Sequence, residues 1–592
     1  MKANKKNKIK VTSRAGRKEE RTAYLCLIPA FLGVSLISYL PTLAVFVLSV
    51  FKWNGLSSPE FVGLENFQRI FTKDIYFADS IKATILYALL AVVGAIIYSL
   101  LVALLLNMKI WGRTLFRSVF FIPYLLPAIG VYKGWQWLYE GNFGLFNFVL
   151  RMVGLKPQRF LDSPSQVVPS LVVIAIWTSG NLIVVFLAGL QNVPRGYMEA
   201  AEIDGANAWQ RFWNVTIPSI SPIIFYNVLT ALITHLQVIN PALALTDGGP
   251  GKKSMFMSYV IYLYAFKKNK LGYAAAYSVI FFILVGIFTA VLFKTQKEQI
   301  FGEGEGEMAG KMASRKKKEK AFNVLAFFIV LILAALVLLP IWWIFRSSLM
   351  STAALNEYPP SFIPHEWLWS NYSKALETFE YWTYFKNTFT IIIPAVTFGT
   401  ITAIFCGYAF ARLRFRGKKL IFNICVGTIL LPGMVTLIPL YIFWTKGMGL
   451  GDTYWPLILP FLTGGGFFNI FLIRQFLMTI PKELDEAASI DGAGRMRILW
   501  TILVPSIKPA VVVVGMMLFI QIWNDLLQQI IYINSMSKFT FAIALTNFTG
   551  SFGTNWPVAL AATFMTILPG IVIYIFGQKS FVEGIVLTGM KN

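Results

Sequence analysis

Cysteine, histidine and charge are all scarce in this chain, and each scarcity excludes something. Three cysteines occur in 592 residues, and Cys26, Cys406 and Cys425 all fall inside apolar runs. That leaves no disulfide framework and no zinc-ligand spacing. Only two histidines, His235 and His365, are present, which argues against a histidine-built metal site. Charged residues make up 14% of the chain against 56% hydrophobic, and mean hydropathy is +0.64, far from a soluble domain. A phosphate-cradling loop is also missing. It needs Gly, four residues, Gly-Lys and then Ser or Thr, but Gly251-Lys252, Gly310-Lys311 and Gly417-Lys418 are followed by Lys253, Met312 and Lys419. The chain is therefore expected to hydrolyse no ATP itself and to bind no cofactor or metal of its own.

What is present in quantity is long apolar sequence. Runs of roughly 20 residues cross a bilayer as helices, and twelve are found, near 23–51, 81–107, 119–139, 166–190, 219–246 and 272–293, then 322–349, 385–410, 420–444, 454–478, 510–532 and 557–577. Aromatics at 16% suit rings placed at two membrane interfaces. The net charge of +24 sits in short clusters between these runs, which excludes nucleic acid as the expected partner and fits the positive-inside bias. Nine Lys/Arg in residues 1–21, eight in 294–320 and five in 411–419 place both termini in the cytoplasm. Five Lys in 251–270 come out on the external side, against the bias.

Six spans per half give both halves the same orientation, so they are parallel repeats, unlike the inverted repeats of many secondary transporters. The expected fold is an all-α, multi-pass membrane protein: a basic tail (1–22), a first six-helix domain (23–293), a flexible linker (294–321) and a second six-helix domain (322–592). The linker is rich in Glu, Lys and Gly and reads as structureless. Met308 and Met312 within it are natural starts for a separate second chain.

One segment is written twice. EAAEIDGANAW (199–209) returns as EAASIDGAGRM (486–496), 287 residues later, and from Pro194/Pro481 to Pro222/Pro509 thirteen of 29 positions agree without a gap. Both copies follow the fourth span of their half, on the cytoplasmic side. Glu199, Ala200 and Ala201 start a helix, Asp204-Gly205 allows a sharp turn, and Pro218 marks entry to the fifth span; Glu486, Ala487, Ala488, Asp491-Gly492 and Pro505 repeat this. An interfacial amphipathic connector would explain one copy. Two copies in the same loop, at the same spacing, point to a partner with two matching clefts.

The pattern E-A-A, three residues, Gly, nine residues, apolar-x-apolar-Pro resembles the coupling-loop signature of importer permeases of ATP-binding-cassette systems. FVGLENF (61–67), FGLFN (143–147) and LTDGGPG (245–251) resemble the first permease of maltose-type carbohydrate uptake pairs. GYAFARLRFRGKK (407–419), DEAASIDGA (485–493) and GQKSFVEGIVLTGMKN (577–592) resemble the second. The resemblance implies two permease subunits joined in one chain in a bacterial or archaeal cytoplasmic membrane. It implies an ATPase dimer, using ATP and magnesium, docked on the two cytoplasmic loops, and an external sugar-binding protein that delivers sugar or oligosaccharide.

A substrate path needs polar groups facing inward from apolar helices. In the fifth spans Thr230, Thr234 and Gln237 recur at helical spacing with Asn240 beyond, and Gln521, Asn524 and Gln528 do so with Asp525 beside them. The 287-residue offset pairs Thr234 with Gln521 and Gln237 with Asn524. Amides and hydroxyls match sugar hydroxyls, which donate and accept hydrogen bonds, and Trp177 with Asn181 would add a stacking ring and an amide. Interhelical glue is the bland alternative for all of these. Glycerol phosphate esters or polyols are the competing substrates. A six-plus-six secondary transporter is the competing class, but neither 108–118 nor 411–419 carries its acidic-basic loop pattern.

Overall fold

The computed structural model describes residues 14–300, 316–551 and 555–588. Among these, seven helices are long and apolar enough to cross a membrane alone: Gly16–Ser49, Phe77–Asn107, Leu271–Lys294, Asn323–Ser348, Tyr381–Ala411, Trp455–Thr479 and Trp556–Gln578. Five further pairs bend by more than 40° at a short break, and counting each as one span gives twelve. The third and ninth spans, Arg113–Leu125 with Ala128–Leu138 and Lys418–Leu430 with Gly433–Gly447, both bend by 96°. Each break precedes a proline, Pro127 or Pro432, which lacks the N–H a helix needs and pushes its predecessor out of the α region. Among the described residues strand is confined to one hairpin, Phe51–Lys52 against Glu60–Phe61, on the connection after the first span.

Two expectations need correction. The fifth and eleventh spans are not continuous over 219–246 and 510–532. Helix Ser221–Leu236 ends with Gln237 as its C-cap, and helix Lys508–Trp523 ends with Asn524 as its C-cap. In the first half Pro241 lies four residues on; in the second, Asp525 Oδ1 accepts the Gln528 N–H at 3.2 Å and starts helix Leu527–Tyr532 anew. The expected linker, moreover, is helical at both ends. Helix Leu271–Ile300 runs into it and helix Lys316–Ser348 begins within it; its middle, with Met308 and Met312, lies outside the described residues, as does the tail 1–13.

The halves are contiguous in sequence but exchanged in space. The first span packs along the eighth, where Cys406 Sγ donates to the Cys26 carbonyl at 3.1 Å and Tyr39 Oη to the Ile424 carbonyl at 2.9 Å. A π-helical turn, Gly33–Tyr39, interrupts that span. Gly33 lies so close to the tenth span that a Cβ there would stand 2.4 Å from Thr463 Oγ1. Reciprocally, the seventh span packs on the third, and Trp177 Nε1 donates to the Val337 carbonyl at 3.0 Å. The five lysines of 251–270 lie on the connection between the fifth and sixth spans. Lys268 Nζ stands 4.7 Å from the rings of both Tyr76 and Tyr264, and Lys252 Nζ donates to the Ile75 carbonyl at 3.0 Å. Cation–π contact and hydrogen bonding thus hold two of the five charges against the start of the second span.

Candidate functional site: two matched coupling segments and two cavities

The repeated segments adopt one backbone. Helix Arg195–Ile203 carries Glu199, Ala200 and Ala201, and helix Glu483–Ile490 carries Glu486, Ala487 and Ala488. Asp204 and Asp491 are the C-caps, and Gly205 and Gly492 follow at φ +79° and +81°. The N–H of Gly205 bonds the Glu202 carbonyl at 3.1 Å and that of Ala206 the Ala201 carbonyl at 2.9 Å; Gly492 to Ser489 and Ala493 to Ala488 repeat both distances. This pair of bonds is the Schellman closure, which needs a left-handed residue after the cap and so favours Gly. A second short helix then leaves each turn, Ala208–Arg211 or Arg495–Ile498. In the first copy Asn207 and Gln210 form a reciprocal capping box.

Sequence reading missed the side chains that make these segments a surface. Ile203 and Ile490, equivalent by the offset, are 61% and 86% exposed. Tyr197/Leu484, Trp209/Met496 and Trp213/Trp500 are also exposed pairs. Glu199, Ala200, Glu486 and Ala487 are exposed among them, whereas Ala488 is buried. The available signal was apolar character at equal offset in a loop outside the membrane, where no lipid covers it. Large exposed apolar residues clustered this way mark interaction surfaces. An ion pair within the first segment joins Arg211 to Glu202, whereas Asp485 of the second pairs with Arg412, from the connection after the eighth span, at 3.2 Å.

The expected path residues separate into two cavities. One, of about 210 Å³, lies mainly in the first half and is lined by Asn181, Thr230, Thr234 and His235 together with Asn524 of the second half. Asn524 Nδ2 donates across the interface to the Tyr124 carbonyl at 3.4 Å, while its buried Oδ1 has no hydrogen-bond partner among the described residues. The other, of about 440 Å³, contains Gln521 and Gln528 with Thr436, Trp444, Phe468 and Tyr532, and is closed on one side by Gly33, Val34 and Ser38 of the first span. Neither cavity is lined by Asp, Glu, Lys or Arg. Gln237 and Asn240 line neither, and Gln237 Nε2 returns to the Ile233 carbonyl of its own helix at 3.2 Å. Because both fifth-span helices end at these amides, the expected continuous polar stripe is corrected to a matched pair of helix breaks.

Trp177 is also corrected. It is buried, bonded to Val337 and set edge-on to Trp135 at 5.5 Å, which leaves its ring unavailable for stacking a sugar. Its equivalent by the 287-residue offset is Gly464. Gly464, Gly465 and Gly466 all have positive φ, +102°, +61° and +104°, a path that side chains rarely follow. Gly465 and Gly466 line the larger cavity. The first half thus places an indole where the second half has glycine, and the two glycines after it border the larger cavity. The run TGGGFF (463–468) was the sequence signal for it.

Several known proteins are similar to this chain. The chain is 32% identical over 300 residues to the probable ABC transporter permease protein YesP of Bacillus subtilis, covering 50% of this chain and 96% of that one. It is 30% identical over 287 residues to the trehalose/maltose transport system permease protein MalF of Thermococcus litoralis, covering 48% and 96%. A crystal structure of a bacterial ABC transporter involved in the import of the acidic polysaccharide alginate matches with 25% identity and a TM-score of 0.41, over 45% of this chain and 99% of that one. Each relative spans about half of the present chain. Residues 95–299 and 395–579, one region in each half, both match the binding-protein-dependent transport system inner membrane component. The chain belongs to that family, and it carries two permease units in a single polypeptide.

Proposed function

We propose that this chain is the complete membrane pathway of an ATP-driven importer of neutral sugars or oligosaccharides. An external binding protein delivers the substrate, and an ATPase dimer docks on residues 195–211 and 483–498 at the cytoplasmic face. The observation that carries the coupling role is the pair of segments with identical turn hydrogen bonds and matched exposed apolar residues. Two equivalent clefts on an ATPase dimer need two equivalent plugs, and each short helix ends in the same Schellman turn. Glu199, Asp204, Glu486 and Asp491 would contribute charge at the rim, where it governs orientation more than affinity.

The substrate class follows from the lining of the two cavities. A phosphate ester or uronate in a low-dielectric chamber needs a cation close by, and neither cavity offers Lys or Arg. Amides and hydroxyls do match a neutral polyhydroxylated ligand: Asn181, Thr234 and Asn524 in one cavity, Gln521 and Gln528 in the other. The volume of about 440 Å³ lies within the ~300–1,000 Å³ range of small-molecule sites. The cavity of about 210 Å³ lies below that range, so we assign the larger chamber to a saccharide and the smaller to a constriction on its route. The test is uptake in proteoliposomes holding this chain, its ATPase and its binding protein. Labelled maltose, maltotriose and glycerol 3-phosphate are each offered, after a thermal-shift screen of the binding protein against neutral sugars, polyols and uronates. ATP-dependent uptake of a neutral saccharide is expected. Uptake restricted to an anionic substrate would overturn the assignment.

A further inference from the structure

The first helix of the chain begins beside the second coupling segment, 476 residues away in sequence. Glu19 Oε2 lies 2.9 Å from Arg495 Nη2, and Glu19 Oε1 accepts the backbone N–H of Arg414 at 2.8 Å. One residue on, Glu20 Oε1 accepts the backbone N–H of Arg416 at 3.0 Å. Tyr24 continues the contact: its hydroxyl donates to the Arg416 carbonyl at 3.1 Å and its ring meets Phe415 edge-on at 5.7 Å. Loop 412–416 then reaches the other end of the coupling helix. Arg412 Nη2 donates to the Ile480 carbonyl at 2.8 Å, and its guanidinium lies 3.2 Å from Asp485.

Glu19 therefore touches the second coupling segment after its turn, at Arg495, and through the Arg414–Arg412 loop before it, at Asp485. Helix Glu483–Ile490 is only eight residues long and buries just Ala488, so its own packing leaves its angle weakly determined. We propose that Glu19 is a positioning residue, and that residues 19–24 of the first half set the orientation of the second half's coupling segment. The docking surface of one permease unit is thereby fixed in trans by the other. A carboxylate suits the task because it accepts from two directions at once, a guanidinium on one oxygen and a backbone N–H on the other. The first coupling segment is braced differently, by the internal Arg211–Glu202 pair. It serves as a control within the same molecule.

This inference rests on the reading of 483–498 as an ATPase-docking surface, but its primary test does not need the ATPase. The full chain in lipid nanodiscs is compared with Glu19→Gln, Arg495→Gln and the double variant by amide hydrogen exchange, following peptides over 483–498 and 195–211. Both single variants should speed exchange in 483–498 about three- to fivefold and leave 195–211 unchanged. The double variant should be no faster than either single, because the two side chains act as one unit. Unchanged exchange at 483–498, an equal rise in both segments, or additive single effects would each overturn the proposal. With ATPase and binding protein added, Glu19→Gln should raise the ATP consumed per sugar moved while the ATPase still associates. An ATPase that fails to bind even the wild-type chain would count against the docking reading and leave the exchange result standing.

Discussion

Gly205 and Gly492 show how a single backbone angle fixes a turn. A Cβ built at Gly492 meets nothing within 4 Å, so a substitution there is resisted by φ alone. Holding an L-residue in the left-handed region costs roughly 1–2 kcal/mol, and a β-branched one more. Gly492→Val is expected to distort the turn between the two coupling helices and leave the membrane spans intact. ATPase co-purification should fall while detergent-extracted yield stays at the wild-type level; equal co-purification would remove the turn from docking. Asn524 poses a different residue-scale problem, since a buried amide oxygen without a partner is costly unless something else bonds it. Asn524→Leu removes that oxygen and the bond to Tyr124. Losing a hydrogen bond offered to the passing sugar costs on the order of 1–3 kcal/mol, a roughly five- to hundredfold slowing of its passage through the constriction. Uptake should fall while basal ATP hydrolysis, set at the distant coupling segments, persists. Wild-type uptake would take Asn524 off the route.

Among elements, the connection 448–454 is held to the connection after helix Leu527–Tyr532 by one carboxylate. Asp452 accepts from the N–H groups of Asn534 (2.8 Å) and Ser535 (3.0 Å), the Ser535 hydroxyl (2.6 Å) and Lys538 Nζ (3.0 Å). Partial burial pushes its pKa up, but the Ser535 and Asn534 bonds with Lys538 outweigh this and hold the carboxyl well below the usual range. A folded-state pKa below the unfolded value of about 3.9 contributes stability that is fully present above that value. It is lost as pH falls through the folded pKa. The thermal midpoint of the wild type should therefore drop steeply below about pH 4, and that of Asp452→Asn should be lower at neutral pH and flatter on acidification. A thiol-reactive dye reads the midpoint, because Cys26, Cys406 and Cys425 are all buried. Parallel pH curves would exclude the clasp. The matched helix breaks at Gln237 and Asn524 belong to the same scale: each ends a helix inside the membrane where a polar amide can still be satisfied.

At the scale of the molecule, each half's first span lies against the other half, joined by Tyr24–Arg416, Tyr39–Ile424 and Cys406–Cys26 on one side and Trp177–Val337 on the other. Association thus rests on buried helix packing, and the peptide link is secondary to it. Residues 1–307 and 308–592 expressed as separate chains should co-purify as a pair and restore uptake. Pieces that insert but fail to associate would assign the link an active role. Trp177→Gly, which removes the indole and its bond to Val337, should weaken that pairing in the split form more than in the joined chain. Co-purification yields of the two forms make the comparison.

The long apolar helices and the twice-written helix–turn segment were legible in sequence because each depends on local properties: apolar length against bilayer thickness, and a Glu-Ala-Ala helix closed by Asp-Gly. Residues 199–205 and 486–492 needed no tertiary information to be paired. The fate of the polar residues was not legible. Gln237, Asn524 and Trp177 all sit in apolar runs where periodicity carries no direction, since membrane helices are apolar all round. Only packing decided that Trp177 bonds across the halves, that Asn524 crosses to the first half, and that Gly465 and Gly466 border a chamber. The exchange of first spans is equally non-local. Glu19 and Arg495 are opposite charges far apart in sequence, and their meeting depends on which neighbour a span chooses, a choice made by shape complementarity at contacts such as Gly33 on Thr463.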